Sequence, residues 1–274
     1  NLTKEIEQLE GSEINRITFG GPNHKHFDVH LKGNKRNNYI TKGFVIPRKI
    51  FDYFLFKKAK EVTEILEGFK VRDLIYKNGK PVGIKGVNRK GDEQIIEAPI
   101  ILGCDGAHSI ISRKLDTYKK DMEHTAVAIR CYYEGIEGLS NQIELHYIKE
   151  VKPGYFWLFP AGGNKANIGI GLSKNDAKKE DRTLTNIMED VTQSQYFKRR
   201  FSNAKPLEKP KGWNLPMGSI HRKNYGDGYM LLGDAAGLVD PFTGEGIGNA
   251  MVAAKYAIST AKKQKTKVII LKMF

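Results

Sequence analysis

The chain has 274 residues, 40% hydrophobic and 28% charged, with 45 basic against 31 acidic residues and a net charge of +14. That apolar content suits one large domain or two small ones and excludes a disordered or collagen-like chain. Two cysteines, Cys104 and Cys131, form no CxxC pair, which excludes a disulfide scaffold or zinc cluster and points to a reducing, cytoplasmic setting.

No apolar run reaches the ~18 residues of a membrane span. The longest is VIIL at 268–271. The lysines are scattered rather than interleaved with aromatics, and no nucleic-acid motif accompanies them. Such a charge reads first as a plain Lys-rich solvated surface; the alternative is an anionic partner, a nucleotide cofactor, a diphosphate substrate or a phospholipid surface, with peripheral membrane attachment as an extension.

NLTKEIEQLE opens the chain as a polar helical or loop stretch. EINRITF, FDVHL and YITKGFVI alternate with turn residues between 12 and 46 and read as strands or a hairpin. After Pro47, Ile50, Phe51, Phe54, Leu55 and Ala59 recur at helical spacing. Three strands follow, joined by turns at Asn78-Gly79 and Gly91-Asp92. PIILGCDG reads as a buried strand and SIISRKL as a helix. TAVAIRCYY, QIELHYIK, YFWLFPA and ANIGIGLS form an antiparallel meander, followed by helical DRTLTNIMEDVTQ and a second short helix. GYMLLGDAAG is a buried strand running into a turn, and the last helix spans 244–263. The expected fold is mixed α/β. Segments 1–120 and 216–265 form one domain, 121–215 an inserted antiparallel sheet, and 266–274 a tail.

Residues 233–251, GDAAGLVDPFTGEGIGNAM, place five glycines between a core strand and a helix. Glycine there lets a ligand approach the backbone closely. Asp234 falls at the carboxyl end of a parallel-type strand, where open α/β sheets bind ligands. Gly244, Gly246 and Gly248 expose amides at the positive end of the helix, which favours negative charge.

This stretch resembles the second FAD motif of the flavoprotein monooxygenases and reductases built like para-hydroxybenzoate hydroxylase. The resemblance implies a partial FAD-binding Rossmann-like domain with an inserted substrate sheet. It implies that Gly233-Asp234 holds the ribityl hydroxyls. Past Pro241 and Gly244, it places Gly246, Ile247 and Gly248 at the N1–O2 edge of the flavin. IILGCDGAHSIISRKL resembles the Asp-Gly motif of the same superfamily through Asp105, Gly106, Ser109 and Arg113, implying support of the FAD pyrophosphate and nicotinamide access. IPRKIFDYFL resembles the helix whose arginine reaches FAD; Arg48 fits, with Phe51 and Asp52 as companions. The GxGxxG fingerprint that seats the ADP half is not found, so the chain is expected to be truncated at its N-terminus.

Tyr155, Trp157, Phe159 and Pro160 make YxWxFP within PGYFWLFPAGGNKANIGIG. This resembles the signature of the geranylgeranyl reductases, in which it lines a lipid cavity. Alternation puts Tyr155, Trp157 and Phe159 on one strand face, an aromatic wall suited to a polyprenyl chain. The implied activity is FAD-dependent saturation of C=C bonds in an isoprenoid lipid, with NAD(P)H or ferredoxin as reductant. The alternatives are a monooxygenase or halogenase of the same superfamily, or a non-catalytic truncated remnant. His24, His26 and His30 read as solvated surface rather than metal ligands. His108 and His146 are left open as residues that could face the flavin.

Overall fold

The computed structural model describes residues 2–31, 42–117, 121–263 and 268–272. A short helix, α1 (Leu2–Ile6), precedes β1 (Ser12–Ile14), β2 (Arg16–Gly20) and β3 (His26–His30). The run EINRITF therefore breaks into two strands. Asn15 turns away between them, its amide donating to Asn141 O at 2.9 Å and its carbonyl accepting from Leu31 N–H at 2.8 Å. β4 (Gly43–Val45) leads to α2 (Arg48–Lys60), with Pro47 immediately ahead. Residues 39–41 of the expected strand YITKGFVI lie outside the described residues.

β5 (Lys70–Lys77), β6 (Lys80–Val87) and β7 (Glu93–Glu97) form an antiparallel three-stranded sheet. Asn78 and Gly79 take left-handed φ of 51° and 75°, as a hairpin turn matched to strand twist requires. β8 (Ile100–Cys104) runs to α3 (Ile110–Lys114), capped by Ser109, whose hydroxyl accepts from Ser112 N–H at 2.8 Å. β9 (Thr125–Glu134), β10 (Gln142–His146), β11 (Gly154–Pro160) and β12 (Lys165–Ser173) precede α4 (Lys174–Lys179) and α5 (Leu184–Gln193). Then come β13 (Lys205–Pro206), β14 (Lys211–Pro216), β15 (Tyr225–Gly226), β16 (Tyr229–Leu231), α6 (Ile247–Lys263) and β17 (Val268–Lys272).

Packing divides the chain into two units, Asn1–Glu64 with Val127–Trp213, and Ile65–Ala126 with Asn214–Phe274. Residues 1–64, grouped with the flanking segments by sequence, pack with the inserted sheet. The reason is strand pairing. β2 runs parallel to β10, and β3 pairs antiparallel with β2. The sheet is ordered β13-β9-β12-β11-β10-β2-β3, with β14 on β9. Only β10, β11 and β12 form the expected meander; β9 lies beyond β12. One face of this sheet buries Phe156, Leu158, Ile168 and Ile170 against Ile187, Met188 and Val191 of α5 and against Phe197 and Phe201. Those α5 positions follow i, i+1, i+4 spacing on one apolar stripe.

In the second unit β16, β8 and β17 are mutually parallel, in the order β15-β16-β8-β17. The expected tail therefore contains a strand: VIIL pairs along β8, satisfying backbone groups that an open edge would leave bare. Ile101, Ile111, Leu231 and Ile84 form the core of this unit. Among the described residues, no helix is long and apolar enough to cross a membrane.

Candidate active site

Both Asp-containing motifs leave the carboxyl ends of neighbouring parallel strands. Leu231 of β16 pairs with Gly103 of β8, and Leu232 N–H donates to Gly103 O at 2.9 Å. Asp105-Gly106 and Gly233-Asp234 thus share the sheet edge at which α/β folds bind ligands. Gly233 and Gly237, at φ 57° and 66°, bracket a tight turn over Gly233–Ala236. A Cβ on Gly233 would lie 3.2 Å from that of Ala250 in α6, so the turn packs directly on the last helix. Across the same contact, Asp234 Oδ1 lies 3.4 Å from where a Cβ on Gly246 would stand. The two halves of the Gly-rich motif meet at the start of α6.

The loop between them is organised by Asp240. Its carboxylate accepts from Phe242 N–H at 3.1 Å and from the Thr243 amide and hydroxyl, each at 2.7 Å. The Thr243 hydroxyl and these amides hold the carboxyl below the usual carboxylate range. Gly244 takes φ 72°, which lets its amide return to Asp240 O at 2.9 Å. Pro241 lies exposed on the loop, and Ile247, the first residue of α6, is also exposed. Gly248 N–H donates to Glu245 Oε1 at 2.5 Å, so a carboxylate of the chain itself sits on the helix start.

Asp105 divides its oxygens. Oδ2 accepts from Ile110 N–H at 2.7 Å and Ile111 N–H at 3.3 Å, while Oδ1 is buried with no hydrogen-bond partner among the described residues. Gly106, at φ 74°, turns the chain into α3, whose last turn carries exposed Arg113. Arg222 was not singled out from the sequence. Its guanidinium lies 2.8 Å from where a Cβ on Gly237 would be, and its Nε is buried without a partner among the described residues. No sequence signal marks it, because HRKNYGD has no motif around it. Arg48 belongs to the other unit and is held by Asp52 one turn on, through hydrogen bonds of 3.0 and 2.9 Å.

In the first unit, alternation along β11 separates the signature residues. Tyr155, Trp157 and Phe159 are half-buried on one face, their rings in sequence at centroid distances of 6.0 and 6.1 Å. Pro160 falls on the opposite, buried face with Phe156 and Leu158, and so is not part of that row. The Trp157 indole N–H donates to Asn167 Oδ1 at 2.8 Å. The ring lies over β12, where a Cβ on Gly169 would collide with it. Gly169 is therefore the bed of the indole.

His146 lies on the other sheet face, 3% exposed, with Nε2 2.9 Å from Glu144 Oε2. Arg200 grips Glu144 with both terminal nitrogens, at 2.7 and 2.8 Å. Burial alone would raise the Glu144 carboxyl, but hydrogen bonds from His146 and Arg200 outweigh it and bring it to about 2. This group is a structural ion cluster beneath the sheet. His108 is exposed in the second unit, 3.4 Å from Asn214 Nδ2. His24, His26 and His30 are exposed.

Residues 124–212 match the geranylgeranyl reductase catalytic domain. A digeranylgeranylglycerophospholipid reductase of Methanococcus vannielii is 34% identical over 234 residues, covering 84% of this chain and 56% of the relative. One from Methanococcoides burtonii is 34% identical over 226 residues, covering 81% and 53%. The chain spans about half the length of these curated relatives. The fold is shared with a geranylgeranyl bacteriochlorophyll reductase-like protein of Thermoplasma acidophilum, at TM-score 0.81 and 23% identity over 93% of this chain and 63% of that one. It is also shared with a flavin-dependent brominase, at TM-score 0.78 and 20% identity over 95% and 65%. By its catalytic-domain match and these relatives, the chain is similar to the geranylgeranyl reductases.

Proposed function

We propose that this chain binds FAD at the carboxyl edge of β8 and β16, binds a polyprenyl lipid on the aromatic face of β11, and reduces C=C bonds of that lipid. The observation that carries the reading is the convergence of Asp105, Gly233-Asp234 and Gly246 at one sheet edge. The site fits the cofactor's polar chemistry. Asp105 Oδ1 and Arg222 Nε are buried and unpartnered among the described residues, and such atoms call for a ligand donor and acceptor respectively. Asp234 would accept from ribityl hydroxyls. The amides of Gly246, Ile247 and Gly248 would stabilise negative charge, with Glu245 giving up its place on Gly248 N–H. FAD, when bound and reduced, supplies the hydride.

Tyr155, Trp157 and Phe159 would hold the apolar chain and exclude water from it. The names of the sequence relatives support a reductase over a halogenase. The brominase likeness extends to the fold. NAD(P)H or a ferredoxin as reductant, and a place at an anionic membrane surface suited to the +14 charge, belong to the same proposal.

The test is an FAD titration followed by flavin fluorescence. Asp234→Ala should weaken binding roughly tenfold or more, since a charge-assisted hydrogen bond is worth about 1.5–3 kcal/mol. Unchanged affinity would remove Asp234 from the site. Anaerobic incubation with reductant and a geranylgeranyl lipid, read by mass spectrometry, should show the lipid gaining hydrogen in pairs. Bound flavin without such a gain would count against the reductase.

A further inference from the structure

The apolar face of β11 continues across its neighbours. Trp157 is paired with Leu145 of β10, Leu145 with Phe19 of β2, and Phe19 with Phe27 of β3. On the same face, Ile143 is paired with Ile17 and Ile17 with Val29. Phe159 stands two residues beyond Trp157 on that side. Two apolar rows thus run outward to β3, the last strand on this side among the described residues. Leu145 is 6% exposed, whereas Phe27 and Val29 are 62% and 43% exposed. Phe19 and Phe27 stack with centroids 5.1 Å apart and planes 17° apart. An edge strand in water ordinarily turns polar groups outward. β3 does so on one face only, with His26, Asp28 and His30.

We infer that this strip is the distal part of the lipid seat, with the far isoprene units crossing β10 and β2 to end on Phe27 and Val29. The inference rests on the proposed lipid-binding role of β11. Dimensions select the occupant. Strands lie ~4.8 Å apart, so the strip is roughly 14 Å long, and its two rows are ~7 Å apart along the strands. A helix with its side chains is about 10 Å or more across and would overhang those rows. A single hydrocarbon chain lies between them. Continuity with the aromatic row favours the same molecule over a separate partner.

The probes are geraniol, with two isoprene units, and geranylgeraniol, with four. The chain has two tryptophans, so Trp213→Phe leaves Trp157 as the fluorescent reporter. In that parent, Phe27→Ser with Val29→Ser should weaken geranylgeraniol roughly tenfold and leave geraniol within about twofold. Both side chains are exposed, and circular dichroism checks that the fold is kept. Unchanged geranylgeraniol affinity overturns the extension while the β11 wall stands. If the parent binds neither alcohol, the β11 reading fails and the extension with it. A parent dimer in sedimentation that the double variant abolishes assigns the strip to a second copy of the chain and overturns the proposal.

Discussion

Strand β11 shows two different surfaces within seven residues. Phe156 and Leu158 are fully buried, against α5 and the segment carrying Phe197 and Phe201. Tyr155, Trp157 and Phe159, one residue away in each case, remain half-buried. The filled face even encloses charge, because Glu144 is matched on both oxygens by Arg200 and reached by His146. The half-open face is shaped by omission, since Gly169 withholds a side chain so that the indole can lie flat. One face is specified by complete packing and hydrogen bonding, and the other by the room it keeps for an apolar guest.

That contrast should break most visibly in paired substitutions. Phe156→Ala should cost about 3–5 kcal/mol in urea unfolding, as for a large buried aromatic. Trp157→Ala should cost about half as much, since part of the indole is already solvated, yet abolish geranylgeraniol binding. Equal stability losses would erase the distinction between the faces.

Acid sharpens the same comparison. The Glu144 carboxyl sits at about 2 in the folded chain against 4.5 for an unperturbed glutamate. Its contribution is complete above that upper value and is lost as pH falls toward the lower one, about 3 kcal/mol in all. Unfolding measured between about pH 6 and pH 3 should show this decline. Glu144→Gln should start less stable and lose less over the same range. A variant with the parent's acid slope would exclude Glu144 as the source.

Gly169→Ala should cost about 1–3 kcal/mol, because the new methyl group meets both the indole and the Ile129 carbonyl. Trp157 fluorescence should shift in the folded protein; an unshifted spectrum would mean that the ring does not depend on that bed. The smallest effect belongs to the outer edge. Phe27→Ser alone should change stability by about 0.5 kcal/mol or less, since the ring is largely solvated. A larger loss in chemical unfolding would show that Phe27 is packed.

Much of this was legible in local sequence. Alternation placed Tyr155, Trp157 and Phe159 together because a strand repeats every two residues. The same rule sends Pro160 to the opposite face, although it ends the signature. The Asn78-Gly79 hairpin and the Ser109 cap could be read because they are made by adjacent residues. What tertiary structure decided was distant pairing. β2 runs parallel to β10 across a long sequence separation, and nothing in EINRITF names that partner. This pairing moved the first segment into the sheet unit and carried the apolar strip out to Phe27. It was likewise only in three dimensions that Arg222 met Gly237, that Glu245 covered the Gly248 amide, and that VIIL joined β8. Periodicity, capping and turn chemistry are short-range and leave marks in neighbouring residues. Parallel pairing and side-chain convergence depend on chain closure over long loops, and appear only once the core has selected which edges meet.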